Sequence, residues 1–117
     1  MSSILRRDME IKIKNHEGAK IIILSGDIDM DTSPELRKQL LLLIDQRTPV
    51  IMVDLENVTY IDSSGIATFV EGLKDMMSYS GRLKFFGIPT RVKEIFSFSK
   101  LDKVFDMYGS MEDALKS

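Results

Sequence analysis

Short apolar runs alternate with segments of helical periodicity along most of the chain, and few folds accommodate that alternation. Residues 50–53, Val-Ile-Met-Val, are typical of a strand buried on both faces. Apolar residues from Ile66 to Met77 then recur at the i, i+3/i+4, i+7 spacing of an amphipathic helix, and Gly81 follows where a glycine cap is expected. We expect Met76 and Met77 to lie on the buried face of this helix. The alternation predicts a mainly parallel β-sheet with helices packed on it.

A β-hairpin is predicted ahead of this alternating part. Met9, Ile11 and Ile13 alternate with charged residues, which is the pattern of a half-buried edge strand. Residues 15–18, Asn-His-Glu-Gly, supply a turn, and residues 20–24 form a second, nearly unbroken apolar run. Hairpin strands are antiparallel, so the predicted sheet is mixed.

Capping residues and short apolar runs predict the remaining elements. A first helix begins at Thr32 or Ser33 and has Pro34 in its first turn. Further along, the pattern predicts a strand over residues 83–86, a helix opened by Pro89 and Thr90, a strand over residues 104–107 and a last helix capped by Ser110. We therefore expect one α/β domain that spans residues 1–117.

The composition excludes several classes of protein. A chain of 117 residues, 44% hydrophobic and 29% charged, can bury a core without metal or disulfide staples. Its 16 basic and 18 acidic residues give a net charge of −2, so we expect no direct binding to nucleic acid or to an anionic membrane. The absence of cysteine excludes disulfides, thiolate metal sites and cysteine nucleophiles.

No targeting or membrane-spanning segment is predicted. Arg6 and Arg7 are not followed by an apolar stretch of signal-peptide length. Every apolar run is far shorter than the roughly 20 residues that cross a bilayer. We therefore expect a cytoplasmic protein.

Two loops at predicted carboxyl ends of strands carry candidate functional side chains, because sites on parallel sheets gather at that edge. One loop is acidic, Asp-Ile-Asp at residues 27–29, and the other is Thr-Tyr-Ile-Asp-Ser-Ser-Gly at residues 59–65. The serine pair at residues 63 and 64 allows two interpretations, one structural and one functional. Serine is a favoured helix N-cap, with Asp62 suited to the positive end of the helix dipole. Alternatively, the turn presents a reactive hydroxyl at the helix N-terminus.

Residues 62–66, Asp-Ser-Ser-Gly-Ile, resemble the turn of the anti-sigma factor antagonists, the small stand-alone STAS domains of bacteria. Residues 53–58, Val-Asp-Leu-Glu-Asn-Val, and residues 26–29, Gly-Asp-Ile-Asp, add to the resemblance. The likeness extends from the initial hairpin to the late helix with Ile95 and Phe96. It implies a single STAS domain over residues 1–117.

The resemblance implies a partner-switching regulator of transcription and not an enzyme. In this family the unphosphorylated protein binds an anti-sigma factor, itself a serine kinase, and so frees a sigma factor. The kinase phosphorylates the first serine of the turn, here Ser63, and the phosphorylated protein is released. A metal-dependent serine phosphatase resets the switch. The resemblance implies no cofactor for this chain, since the ATP belongs to the kinase.

The family's partner-binding positions carry over to residues around Ser63. Asp29 matches a family position near the phosphoacceptor and the partner, and Asp27 falls where a neighbouring acid occurs in relatives. The other positions of the implied docking surface are Asp62, Ser64, Gly65 and Ile66.

A serine hydrolase is one alternative, with Ser63 or Ser64 as nucleophile. Such an enzyme needs a base, and the single histidine, His16, lies in the predicted hairpin turn. The sequence around the serines also lacks the first glycine of a Gly-x-Ser-x-Gly elbow.

A phosphoaspartate receiver domain is a second alternative. Asp54 would be the acceptor, and Asp27 and Asp29 would bind magnesium. The initial hairpin and the lack of a Lys-Pro pair after a late strand argue against this class. The simpler reading is that Asp54 accepts hydrogen bonds from backbone amides near the strand end.

Two further functions remain open within the STAS class. The chain could be a scaffold subunit of a large stress-signalling complex, or a small-molecule-binding module related to those of transporters. The compact length favours the antagonist.

Overall fold

The structure, a computed structural model, describes residues 2–5 and 9–117. Within these residues the chain forms six strands and four helices. Their order is β1 (Ser2–Leu5), β2 (Met9–His16), β3 (Ala19–Ile28), α1 (Ser33–Asp45), β4 (Val50–Ile61), α2 (Ser63–Met77), β5 (Arg82–Phe86), α3 (Thr90–Phe98), β6 (Asp106–Tyr108) and α4 (Met111–Lys116).

The strands form one mixed sheet in which they lie side by side in chain order. The pairs β1–β2 and β2–β3 are antiparallel, and the pairs β3–β4, β4–β5 and β5–β6 are parallel. The α/β fold, the initial hairpin and the mainly parallel sheet are confirmed. None of the helices that the structure describes is long and apolar enough to cross a membrane.

The prediction that β2 is an edge strand is wrong. β1 pairs along its outer side, with Ser2 opposite Ile13 and Leu5 opposite Glu10. Alternation of apolar and charged residues shows that one face of a strand is buried. It does not distinguish an edge strand from an inner one, because a neighbouring strand adds hydrogen bonds and leaves the face pattern unchanged.

Strands β3 and β4 extend further than their sequence pattern indicates. Asp27 and the segment 59–61, both expected in loops, lie in strands, and the parallel pairing continues to Ile28 opposite Ile61. Register shifts interrupt this pairing between Ile23 and Ser25 and between Gly26 and Asp27. Both shifts put an extra residue in β4, and such a bulge breaks the two-residue alternation by which a strand is predicted from sequence.

The two faces of the sheet are covered differently. Helices α1, α2 and α3 pack on one face over the main hydrophobic core, which contains Phe69, Phe85, Phe96 and Phe105 in mutual edge or tilted contact. Helix α4 covers a smaller apolar cluster on the other face. Buried Lys84 holds α4 against this face of the sheet, because its Nζ donates hydrogen bonds of 2.8 Å to the carbonyls of Ala114 and Ser117.

Helix α2 confirms the predicted periodicity except at its end. Met76 is buried, but Met77 is 68% exposed, so its predicted burial is wrong. Met77 is the last residue of α2, and its side chain points to solvent. Gly81 donates its amide to Met76 O at 2.8 Å as expected of a helix stop, but Ser80 adopts the left-handed conformation, with φ of 62°.

Candidate functional site

The turn between β4 and α2 packs closely against the ends of β3 and β4. The Asp62 amide donates to Ile28 O at 3.0 Å, which ties the turn to the end of β3. Gly65 is buried beneath it, where a Cβ would lie 2.7 Å from Ile28 Cγ2 and 2.8 Å from Ile61 Cγ1. A larger residue at this position would have to displace the side chains of Ile28 and Ile61. Any contribution of Gly65 to docking therefore comes through the shape of the turn.

Asp62, and not a serine, caps helix α2, so the serine-cap interpretation is wrong. Its Oδ1 accepts from the Ser64 amide at 2.9 Å and from the Gly65 amide at 3.3 Å. The extended backbone of Asp62 aims the carboxylate at these free amides of the first turn. A carboxylate there satisfies two donors and also carries the charge that the helix N-terminus favours.

The local hydrogen bonds keep the Asp62 carboxyl ionised. Partial burial acts to raise its pKa, but hydrogen bonds from the Ser64 hydroxyl and from the amides of Gly65, Ser64 and Met30 together outweigh that effect. The pKa of Asp62 therefore lies below its ordinary value. The turn carries a fixed negative charge next to Ser63 at neutral pH.

The two serines of the turn have different surroundings. Ser63 is the first residue of α2 and is exposed. The Ser64 hydroxyl is partly buried, donates to Asp62 Oδ1 at 2.6 Å and accepts from Ser33 Oγ at 3.2 Å. The structure thus presents one serine to an approaching molecule and holds the other in a hydrogen-bond network.

The acidic residues at the end of β3 and just after it also make defined contacts. Asp29 Oδ1 accepts from the amides of Asp31 and Thr32 at 2.9 and 3.1 Å, which closes the loop that leads into α1. Thr32 is the N-cap residue as predicted, but its hydroxyl donates to the carbonyl of Asp27 and caps no helix amide. Asp27 lies in β3 and accepts from Thr59 Oγ1 at 2.6 Å.

The β3–α1 loop lies against the Ser63 turn. Parallel pairing puts Asp27 opposite Tyr60, and the Asp62 amide donates to the carbonyl of Ile28, two residues before Met30. The two loops singled out from sequence therefore form one surface at the carboxyl edge of the sheet. The side chain of Met30, which sequence reasoning missed, is 76% exposed there.

The structure gives no support to a receiver-type metal site. Asp54 pairs opposite Ile23 and Phe86, well before the end of β4, and its Oδ1 accepts from the Glu56 amide at 2.9 Å. The prediction that Asp54 accepts a hydrogen bond from a nearby backbone amide is confirmed, but its predicted position at a strand end is wrong, because β4 continues to Ile61. Residues 2–5 and 9–117 contain no group of three or more acidic or histidine side chains placed to hold a metal ion.

A hydrolase arrangement is likewise not formed. His16 pairs opposite Ala19 beside the hairpin turn, at the start of β3, whereas the Ser63 turn adjoins Ile28 at the far end of that strand. The histidine is therefore remote from both serines, and a general base within hydrogen-bond reach is what serine nucleophiles require.

An apolar groove on α2 is a second feature that sequence reasoning missed. It has a volume of about 500 Å³, and its lining includes Ser63, Ile66, Ala67 and Val70. The sequence does indicate an apolar face here, since these residues recur at the spacing of one side of a helix. The periodicity predicted that this face of α2 is buried in the core. In the structure α3 covers only part of it.

An α/β domain with this sheet order, and with a Ser-Ser-Gly turn capped by an aspartate at the start of its second helix, is a STAS domain. The STAS domain family matches residues 10–114, and the chain belongs to that family. The resemblance drawn from the sequence is confirmed.

Curated relatives of the chain include anti-sigma-B factor antagonists. That of Bacillus subtilis is 26% identical over 109 residues, covering 93% of this chain and 99% of the relative. That of Staphylococcus aureus (strain NCTC 8325 / PS 47) is 35% identical over 78 residues, covering 67% of this chain and 72% of the relative. These proteins identify the branch of STAS domains that this chain resembles.

Solved structures show the same fold. An anti-sigma factor antagonist from Mycobacterium paratuberculosis superposes with a TM-score of 0.85 at 23% identity, covering 92% of each chain. The antagonist SpoIIAA in its unphosphorylated form superposes with a TM-score of 0.77 at 20% identity, covering 90% of this chain and 92% of SpoIIAA.

Proposed function

We propose that this protein is an anti-sigma factor antagonist whose binding is switched off by phosphorylation of Ser63. In this proposal the unphosphorylated protein binds an anti-sigma factor with serine kinase activity and so frees a sigma factor. A serine phosphatase restores the binding form. The curated relatives support the antagonist role, and the observation that carries the switch is the exposed Ser63 hydroxyl at the start of α2.

Ser63 is the better phosphoacceptor of the two serines. A kinase must reach the hydroxyl oxygen and remove its proton, which an exposed side chain allows. Phosphorylation of Ser64 would break its 2.6 Å hydrogen bond to Asp62 and place two negative groups in contact. It would also break the link to Ser33.

A phosphate on Ser63 would remain facing solvent. The amides that could bind it, those of Ser64 and Gly65, already donate to Asp62. Attraction to the helix N-terminus contributes about 0.3–1 kcal/mol. Repulsion from Asp62 costs on the order of 2–3 kcal/mol per unit charge at a separation of about 6 Å and an effective dielectric constant near 20. The net repulsion keeps the phosphate away from the turn.

This outward charge accounts for an off-switch without a change of fold. A phosphoserine adds about −1.5 to −2 charge at neutral pH. Water solvates that charge in the free protein, but an interface that covers Ser63 would have to remove the water. A penalty of about 2.7 kcal/mol already weakens binding roughly a hundredfold.

The proposed docking surface surrounds Ser63 on the carboxyl edge of the sheet. Asp62, Ser64 and Ile66 form the first turn of α2 with its cap, and Gly65 shapes that turn from below. Asp27 and Asp29 belong to the neighbouring strand end and loop. The protein acts by binding and carries out no catalysis, needs no cofactor, and works in the cytoplasm, where sigma factors meet RNA polymerase.

The test measures binding and phosphorylation together. Wild type, Ser63→Ala and Ser63→Asp are each mixed with purified anti-sigma kinases of the source organism, with and without labelled ATP. We expect labelling of wild type at Ser63, unlabelled binding by the alanine variant, and binding by the aspartate variant that is weaker by about a hundredfold. Ser64→Ala is the matched control, and it should still be labelled.

Other outcomes would assign the protein differently. Absence of both binding and labelling with every kinase would overturn the antagonist proposal. Labelling at Ser64 would move the switch by one residue. A large homo-assembly that binds no kinase would indicate a scaffold subunit.

A further inference from the structure

A cavity of about 490 Å³ lies on the face of the sheet that carries α4. Gly87 follows β5, Gly109 and Ser110 follow β6, and all three line the cavity. Open α/β sheets bind their ligands at the carboxyl ends of parallel strands, in cavities of roughly 300–1,000 Å³. The cavity has both the position and the volume of a small-molecule site.

The floor of the cavity is apolar. Ile21 and Phe86 are buried there, and Ile23 is half-buried beside them. Met111, the first residue of α4, also lines the cavity. A ligand with an apolar part would remove this surface from water, which favours binding.

Three charged side chains border the apolar floor. Asp54 stands in one row across the sheet with Ile23 on β3, and Glu56 lines the cavity two residues further along β4. Lys14 lies on β2, with Ile21 of β3 opposite it. Strand β3 separates β2 from β4, so the lysine and the carboxylates are about 10 Å apart across the sheet. The cavity is therefore acidic on one side, basic on the other and apolar between.

These charges are not neutralised within the described part of the chain. Across residues 2–5 and 9–117, the ion pairs involve neither Lys14 nor the carboxylates of Asp54 and Glu56. A ligand could therefore pair with all three charges without breaking an ion pair of the protein. Hydrogen bonds between charged groups are stronger than those between neutral ones.

Gly87 keeps the acidic side of the cavity open. Its φ of 66° is in the left-handed region that favours glycine. A Cβ there would lie 3.3 Å from Asp54 Oδ1 and 3.3 Å from Glu56 Cβ. A side chain at this position would crowd the two acidic residues and narrow the cavity beside them.

We infer that this cavity binds a small elongated zwitterion, with its ammonium group at Asp54 and Glu56 and its carboxylate at Lys14. The apolar middle of the ligand covers Ile21 and Ile23 on the strand between them. A metal ion does not fit the acidic side, because no third acidic or histidine side chain among the described residues completes a metal site there.

The cavity is separate from the proposed switch. Helix α2, which begins at Ser63, packs on the opposite face of the sheet. A bound zwitterion would leave the Ser63 hydroxyl accessible. The inference therefore stands or falls independently of the proposed function.

The test titrates the isotope-labelled full chain with three six-carbon compounds and follows the backbone amides by NMR. We expect 6-aminohexanoate to bind with a Kd on the order of 1 mM. It should shift the amides of Gly87, Gly109 and Ser110 and leave that of Ser63 unchanged. Hexylamine, which lacks the carboxylate, should bind about threefold more weakly, and hexanoate, which lacks the ammonium group, about tenfold more weakly.

Charge-removing variants test each contact. Asp54→Asn keeps an oxygen to accept the Glu56 amide, and Glu56→Gln and Lys14→Met alter exposed side chains, so all three should fold like wild type. Each should weaken binding of 6-aminohexanoate by about fivefold. Glu94→Gln and Lys74→Met are the matched controls, exposed on α3 and α2 away from the cavity, and should change the Kd by less than about twofold.

Several results would overturn the inference. One is the absence of shifts around the cavity at a ligand concentration well above the expected Kd. Another is equal binding by the cavity variants and the controls. Hexylamine that binds as tightly as 6-aminohexanoate would exclude a role for the lysine, and hexanoate that binds most tightly would exclude a role for the carboxylates. Either result would refute a zwitterion as the ligand.

Discussion

Ser33 Oγ donates a hydrogen bond to Ser64 Oγ at 3.2 Å, which joins the first turn of α1 to the first turn of α2. The Ser64 hydroxyl in turn donates a hydrogen bond to Asp62 Oδ1 at 2.6 Å. The hydroxyl next to the proposed phosphoacceptor is thus a structural group that connects two helices.

Ser64→Ala should lower the free energy of unfolding by about 1.5–3 kcal/mol, as measured by urea denaturation. The substitution removes a hydrogen bond to a charged carboxylate and leaves the buried Ser33 hydroxyl without its partner. Ser63→Ala is the control and should change stability by less than about 0.5 kcal/mol. Equal losses in the two variants would contradict the different roles of the serines.

Asp62 should contribute to stability in a pH-dependent way. Because its pKa is lowered in the folded protein, its stabilising effect is complete above the unfolded value of about 4 and is lost as pH falls through the folded value. Asp62→Asn keeps an oxygen acceptor but removes the charge. Wild type should therefore be more stable than the variant at pH 7.

The measurement is a series of unfolding curves for both proteins between about pH 7 and pH 2.5. The difference in stability should shrink below about pH 4. A difference that stays constant down to the lowest pH would contradict a lowered pKa for Asp62.

Gly65→Ala should destabilise the protein by about 1–3 kcal/mol, because the added Cβ would meet Ile28 and Ile61 at contact distances that side chains do not adopt. Gly109→Ala is the matched control. Its Cβ would have only Asp113 Oδ2 nearby, at 3.8 Å. Thermal unfolding compares the two, and a Gly65→Ala protein as stable as the control would contradict this packing, because it would show that the Ile28 and Ile61 side chains move aside at no cost.

The ion pair between Arg37 and Glu71 should contribute little stability. Its two hydrogen bonds, 2.7 and 2.8 Å, join α1 to α2, and both side chains are substantially exposed. We expect Glu71→Gln to cost less than about 1 kcal/mol at low salt and less still at high salt. A larger loss that salt does not reduce would indicate a structural role beyond the ion pair.

Much of this fold was predictable because local spacing encodes which face of an element is buried. The i, i+3/i+4, i+7 pattern of α2 holds in the structure from Ile66 to Met76. The hairpin, the parallel strand–helix order and the Ser110 cap of α4 are confirmed for the same reason. Each depends on residues that are neighbours in sequence.

Tertiary contacts decided the remaining features, because each depends on distant segments. Pairing with β3 carries β4 through two register shifts to Ile61. The side chains of Ile28 and Ile61 leave no room for a Cβ at position 65, and the Asp62 amide is tied to Ile28 O at 3.0 Å. The sequence by itself determined that a serine pair begins α2. Only the packed structure decided that Ser64 is held by Ser33 and that Ser63 is exposed at the edge of an apolar groove.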